Sequence, residues 1–221
     1  TPFLLEPADS GTAAAPVTYA ARPGAKVVIS AGQRLHLQWS PHKDGIWRAD
    51  TRSLPTQIDQ LFINGRRRHI ARWPNFQEGD YGVDVGYSNG LTPREGKPAS
   101  QVIPPLQDYT GFAFDPEKFT ARTWAHPERA MLHVFQSHRW GNMQWRLQAL
   151  DYENHVIQLG QGGGQIGTLW HESRANWVNA NSKYYIENVY EELDAPGEWY
   201  HDAQKQVLYY MPAESDDLAR A

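Results

Sequence analysis

Gln60-Leu61-Phe62-Ile63-Asn64-Gly65-Arg66-Arg67-Arg68-His69-Ile70-Ala71-Arg72-Trp73 sets the fold class of this chain. Asn-Gly tolerates the positive φ angles of a type I′ turn, so the flanking runs must fold back on each other as a β-hairpin. Toward the N-terminus, Val17-Thr18-Tyr19-Ala20 and Lys26-Val27-Val28-Ile29-Ser30 read as short β runs parted by Arg22-Pro23-Gly24-Ala25. Leu35-His36-Leu37-Gln38-Trp39 alternates apolar with polar residues, and Ile46-Trp47-Arg48-Ala49 resumes the pattern. Toward the C-terminus, Met131 to Phe135, Met143 to Leu150 and His155 to Leu159 are predicted strands. Trp199-Tyr200 and Val207-Leu208-Tyr209-Tyr210 form a closing β pair.

Two segments break this rhythm. Pro74 to about Pro116 is rich in Gly, Pro, Asp and Tyr and reads as one long loop. Tyr185, Ile186, Val189, Tyr190 and Leu193 recur at helical spacing, with Asn181 or Ser182 as cap and Pro196-Gly197 as stop, which predicts one short helix.

Composition supports an all-β chain. The 221 residues include 9 Trp, 11 Tyr and 7 Phe, with 18 Gly and 15 Pro to serve short strands and turns. A formal charge of −4 lacks the basic field of a nucleic-acid partner. No apolar run approaches the roughly 20 residues of a membrane span. Cysteine is absent, which removes disulfides, thiolate catalysis and cysteine zinc sites together. Thr1-Pro2-Phe3 carries neither a start methionine nor a signal peptide, so the chain is expected to be a processed protein or a piece of one.

Most motifs that suggest chemistry have a plainer structural explanation. Gly162-Gly163-Gly164-Gln165-Ile166-Gly167 matches G-x-G-x-x-G, but Thr168-Leu169-Trp170-His171 is a poor helix start, so an inter-strand loop is favoured over a dinucleotide site. His171-Glu172 lacks the second histidine of a zinc-protease helix, Ala175 standing in its place. No cofactor or metal is expected. Arg66-Arg67-Arg68-His69 reads as a solvated hairpin arm, with an acidic polysaccharide as the competing explanation. Glu191, Glu192, Asp194 and Glu198 crowd one segment, and a helix surface accounts for them without catalysis. Ser137-His138-Arg139-Trp140-Gly141-Asn142 suits sugar contact, through an indole face and hydrogen-bonding neighbours, although a connecting loop with a packed Trp is the favoured reading.

Longer segments resemble a known family. Leu61 to Arg67 followed by Ala71-Arg72-Trp73-Pro74-Asn75, and Tyr185 to Val189 with Glu191 to Tyr200 and Leu208-Tyr209-Tyr210-Met211-Pro212, resemble signatures of bacterial right-handed parallel β-helix glycoside hydrolases. Asp9-Ser10-Gly11-Thr12, Ala15-Pro16-Val17 and Arg22-Pro23-Gly24 resemble the first coils of the same helix. The likeness is to family 120, with family 141 a near alternative. It implies an immunoglobulin-like β-sandwich inserted into the early turns of a parallel β-helix: first coils over 1–51, the insertion over 52–184, and a short helix with closing strands over 185–221. In those families the catalytic carboxylates lie on later coils, so no catalytic residue carries over to any position here.

The resemblance therefore implies a non-catalytic portion of a β-xylosidase-like hydrolase acting on plant or algal oligosaccharides. A stand-alone carbohydrate-binding or structural module, or part of a polysaccharide lyase, is the alternative. The expected partners are an oligosaccharide or polysaccharide and the remainder of the parent β-helix, and a homo-oligomer is left open. The expected location is secreted or periplasmic, in a bacterium. The carbohydrate-contact candidates are Trp73, Trp124, His138, Arg139 and Trp140.

Overall fold

The computed structural model describes residues 4–30, 32–54, 58–77, 83–84, 91–93, 109–120, 122–135, 141–163 and 182–218. The chain divides into two units, residues 1–35 and 36–221. In the first unit, the described residues carry one 3-10 turn, Pro7–Asp9, closed by a reciprocal bond from the Glu6 amide to the Asp9 carboxylate at 2.8 Å. The β runs expected at 17–20 and 26–30 form no ladder among the described residues. A strand is held by hydrogen bonds to a neighbour, and intrinsic propensity cannot supply that neighbour.

The second unit holds two sheets. The first comprises β1 (Ser40–Pro41), β2 (Trp47–Asp50), β3 (Leu61–Ile63), β4 (Arg66–Ile70), β13 (Glu198–Asp202) and β14 (Val207–Tyr210), in the order β1-β2-β14-β13-β4-β3. The β3–β4 hairpin has the register its sequence dictates, Ile63 opposite Arg66 and Leu61 opposite Arg68. Asn64 and Gly65 sit at φ 50° and 78°, the conformation the turn demands. Side chains alternate across this sheet. Leu61, Ile63, Trp199, Leu208 and Tyr210 pack on one face, and Ile46, Tyr200 and Tyr209 join Ala71 and Leu193 on the other.

The second sheet comprises β5 (Arg72–Trp73), β6 (Val83–Asp84), β7 (Leu91–Pro93), β8 (Tyr109–Ala113), β9 (Met131–Phe135), β10 (Asn142–Asp151), β11 (Val156–Gly162) and β12 (Lys183–Glu187). Its order is β5-β12-β9-β10-β11-β8-β7, with β6 also pairing β12. Three of its strands lie inside the segment expected to be loop, where Gly and Pro conceal them. Its buried face gathers Phe112, Leu132, Val134, Met143, Trp145, Leu147, Ile157, Tyr184 and Ile186, roofed by Phe114, Phe119 and Trp124. Burying each of these large side chains contributes roughly 2–3 kcal/mol, which makes this cluster the main source of cohesion.

The helix expected over residues 185–193 is corrected to a strand. Residues 183–187 form β12, followed by a single 3-10 turn at Tyr190–Glu192. Tyr184 and Ile186 are both fully buried and lie opposite Val134 and Leu132 on β9. Their period of two satisfies both the core and the ladder, which outweighs the helical spacing of the same apolar residues.

The two sheets are joined through Ala71. Its amide donates to the Trp199 carbonyl of the first sheet at 2.7 Å, and its carbonyl accepts from Asn188, just past β12, at 3.0 Å. Among the described residues the one parallel ladder is short, Glu198 and Trp199 of β13 beside His69 and Ile70 of β4. Among the described residues the architecture is thus nearly all-β, in two sheets with almost no helix.

Candidate functional site

Beside that junction lies an open groove of about 1040 Å³. The strand period builds it. Because Leu132, Val134, Met143, Trp145, Tyr184 and Ile186 turn into the core, their alternates Met131, His133, Phe135, Asn142, Gln144, Arg146, Tyr185 and Glu187 must face the other way, and all of these line the groove. Strand β4 adds Arg67, Arg68 and His69, and β13 adds Tyr200 and His201.

Register places the polar residues in rows. Tyr185 and Gln144 flank His133 on its two neighbouring strands, and Glu187 and Arg146 flank Met131 in the next row. The His133 ring stacks on Tyr185, centroids 4.4 Å apart and 7° from parallel. Its Nε2 lies 2.9 Å from Glu187 Oε1, whereas its buried Nδ1 has no partner among the described residues. The buried Asn142 Oδ1 is likewise without a partner there. Arg72 sits over the Tyr185 ring at 3.8 Å and donates its Nε to the Pro74 carbonyl at 2.8 Å, fixing the plane of its guanidinium. His69 stacks on Phe76 at 3.9 Å.

Five arginines (67, 68, 72, 129 and 146) line the groove against two carboxylates, Asp59 and Glu187. Two of the five, Arg68 and Arg129, have acidic partners outside it. Arg68 pairs with the buried Asp216, and Arg129 lies 3.5 Å from Asp202. The field is registered by His69, whose imidazole is held below the ordinary histidine range, first by burial and then by Arg72 and Arg67. Burial pushes the Tyr185 phenol up to about 12, so it remains a neutral hydroxyl. Stacked rings, fixed guanidinium, amide groups and an orphaned imidazole nitrogen suit a ligand rich in hydroxyl groups.

Of the residues singled out from sequence, Trp73 and Trp124 lie in the core of the second sheet, each 8% exposed. Trp73 packs edge-on against Phe119, and the Trp124 indole N–H donates to Glu192 at 2.7 Å. His138, Arg139 and Trp140 lie outside the described residues. The basic run at 66–69 does contribute, through Arg67, Arg68 and His69. Arg72, His133, Arg146 and Tyr185 had no signal as single letters. Their alternation with core residues, once the strand is recognised, is the pattern that exposes them.

The remaining motifs resolve into structure. Glu192 binds Arg122 and Trp124, Glu191 accepts from the Ala125 amide at 3.1 Å, and Asp194 accepts from Asn75 at 2.9 Å. Glu198 accepts the Asp194 and Ala195 amides at 3.4 and 3.3 Å. Gly162 and Gly163 end β11 at positive φ, where a Cβ on Gly163 would strike the Trp145 indole. His171 and Glu172 lie outside the described residues. Among the described residues no three His, Asp or Glu side chains converge to hold a metal ion, and no helix is long and apolar enough to cross a membrane.

Residues 116–213 match the family model of the GH141 insertion domain, which makes this part of the chain glycoside hydrolase-related. The matched segment includes β9 to β14, and with them much of the groove. A solved structure described as "Glycoside hydrolase" aligns with 83% of this chain at 18% identity and a TM-score of 0.48. The chain spans 29% of the length of that structure. No curated protein matches.

Proposed function

We propose that this chain is a non-catalytic, carbohydrate-contacting part of a family 141-related glycoside hydrolase. The observation that carries this reading is the row Tyr185–His133–Gln144, with the buried His133 Nδ1 and Asn142 Oδ1 both lacking partners among the described residues. An unsatisfied buried polar atom costs about 1–3 kcal/mol, so a side-chain shift that admits sugar hydroxyls to both is offset by the bonds gained, while a sugar ring packs on Phe76, which is 43% exposed on the groove. In the tautomer whose Nε2 donates to Glu187, Nδ1 is an acceptor, the complement of a hydroxyl donor. The substrates of the parent enzyme are plant or algal polysaccharide fragments, xylo-oligosaccharides among them.

The same reading treats residues 1–51 as first coils of a parallel β-helix, 52–184 as a β-sandwich insertion and 185–221 as the return. All described residues from 4 to 30 are exposed, and Leu4, Leu5, Val17, Tyr19, Val27, Val28 and Ile29 are 52–83% exposed. Solenoid coils bury such residues against the next coil, which supports a larger body completed by further chain. The two bond-cleaving carboxylates then reside on those further coils. Trp140, with His138 and Arg139, belongs to the segment between β9 and β10, whose flanking Phe135 and Asn142 line the groove, so these three stay candidates for sugar contact.

Calorimetric titration of the intact chain against a panel of neutral and acidic oligosaccharides tests the binding role. At least one saccharide class binds, and substituting His133 by Phe weakens it. Absence of binding across the panel would refute the reading. The coding sequence is expected to continue past Ala221 into further β-helix coils, and a stop codon there would instead leave a stand-alone module.

A further inference from the structure

The groove and the chain that carries it have opposite electrical character. The protein is formally −4, yet the groove gathers five arginines and three histidines against two carboxylates. Arg68 and Arg129 have acidic partners, Asp216 and Asp202. Arg67 and Arg146 are exposed on the groove with no acidic partner among the described residues. A neutral oligosaccharide needs hydroxyl and ring contacts but gains nothing from this excess of cations.

We propose that the groove binds an acidic oligosaccharide, its anionic groups facing Arg67 and Arg146 and its ring hydroxyls facing His133 and Asn142. This rests on the carbohydrate-contact reading above and narrows its ligand class. Guanidinium forks match the planar two-oxygen geometry of a carboxylate and serve sulfate esters by the same chemistry. The groove also carries two carboxylates, Asp59 and Glu187, and Glu187 is hydrogen-bonded to His133 at 2.9 Å. A volume near 1040 Å³ is at the upper end for small-molecule sites, room for several sugar units rather than one.

The test is calorimetric titration of the intact chain with three probes: trigalacturonate, its fully methyl-esterified form, and a sulfated carrageenan trisaccharide. Trigalacturonate is expected to bind at least tenfold tighter than the ester, with affinity falling as salt rises. Tighter binding of the sulfated probe than of trigalacturonate supports the acidic class with sulfate as its source. R67Q and R146Q, both at exposed positions, are each expected to lower affinity for the acidic probe roughly tenfold and leave that for the ester unchanged.

His69 provides a second readout independent of those variants. Burial is the first cause of its low midpoint and the Arg72 and Arg67 charges add to it, so an anion bound beside those charges should raise the NMR titration midpoint on saturation with the acidic probe. Equal affinity for trigalacturonate and its ester would overturn the acidic class and leave the carbohydrate role standing. Failure of every saccharide to bind would overturn both.

Discussion

Glu192 and Arg122 are joined at the roof of the second core: Arg122 Nη1 lies 2.7 Å from each Glu192 carboxylate oxygen, while one of those oxygens also accepts the Trp124 indole N–H at 2.7 Å. The Arg122 guanidinium lies over Trp73 at 5.0 Å and Phe119 at 5.6 Å. Glu192 is 4% exposed and stands on the one 3-10 turn between β12 and β13. One carboxylate therefore fastens the turn to the roof of the core, and a cluster of acids that resembles catalytic machinery in sequence is a structural clasp.

Removing that clasp should be expensive. Glu192→Ala leaves Arg122 without its ion-pair partner and the Trp124 N–H unsatisfied, so a loss of about 3 kcal/mol is expected. Glu192→Gln, which can still accept from Trp124, should lose roughly half as much. Urea unfolding followed by tryptophan fluorescence measures both, and loss below 1 kcal/mol for the alanine variant would contradict the assignment.

Glu198 makes stability depend on pH. Burial pushes its carboxyl up to about 8 from 4.5, partly offset by the Ala195 and Asp194 amides. Its folded-state pKa lies above the unfolded one, so its stabilising contribution is complete below pH 4.5 and lost as pH climbs through 8. Urea midpoints of the wild type should fall from pH 5 to pH 8, by on the order of 1 kcal/mol per pH unit at most. Glu198→Gln should flatten that slope.

The glycine pair at the end of β11 is a packing requirement. A Cβ at Gly163 would enter the Trp145 indole, and the residue sits at φ 79°. Gly163→Ala combines overpacking with backbone strain and should lower stability by about 2–3 kcal/mol. Nucleotide affinity should be unchanged at zero in the wild type and variant alike, measured by fluorescent-nucleotide titration.

Proteolysis should distinguish the two units. Every described residue from 4 to 30 is exposed, whereas β9, β12 and β14 bury Leu132, Val134, Ile186, Leu208 and Tyr210 completely. Brief digestion should cut within 4–30 before it cuts in 183–210, with mass spectrometry locating the sites. First cleavage inside β12 or β13 would contradict the burial pattern.

The parts of the fold legible in sequence are those held by local chemistry or strict alternation. Asn64-Gly65 encodes its own turn, and Met131 to Phe135 and Val207 to Tyr210 are short apolar runs rich in β-formers that sequence places as the strands observed. Strand β12 was hidden because Tyr184 and Tyr185 carry the same letter on opposite faces: one is fully buried and the other stacks on His133 in the groove. The same ambiguity hid the site. Arg72, His133, Arg146 and Tyr185 come from four strands and meet only through inter-strand register, a property of pairing rather than of any one segment.

The most direct test follows protein and ligand in one NMR tube, titrating the isotope-labelled intact chain with trigalacturonate and xylotriose in turn. Chemical-shift changes should centre on His69, His133, Arg146 and Tyr185, with the glycosidic linkages of both saccharides intact after prolonged incubation. Cleavage of either saccharide, or shifts that bypass those four residues, would contradict a binding groove without catalysis.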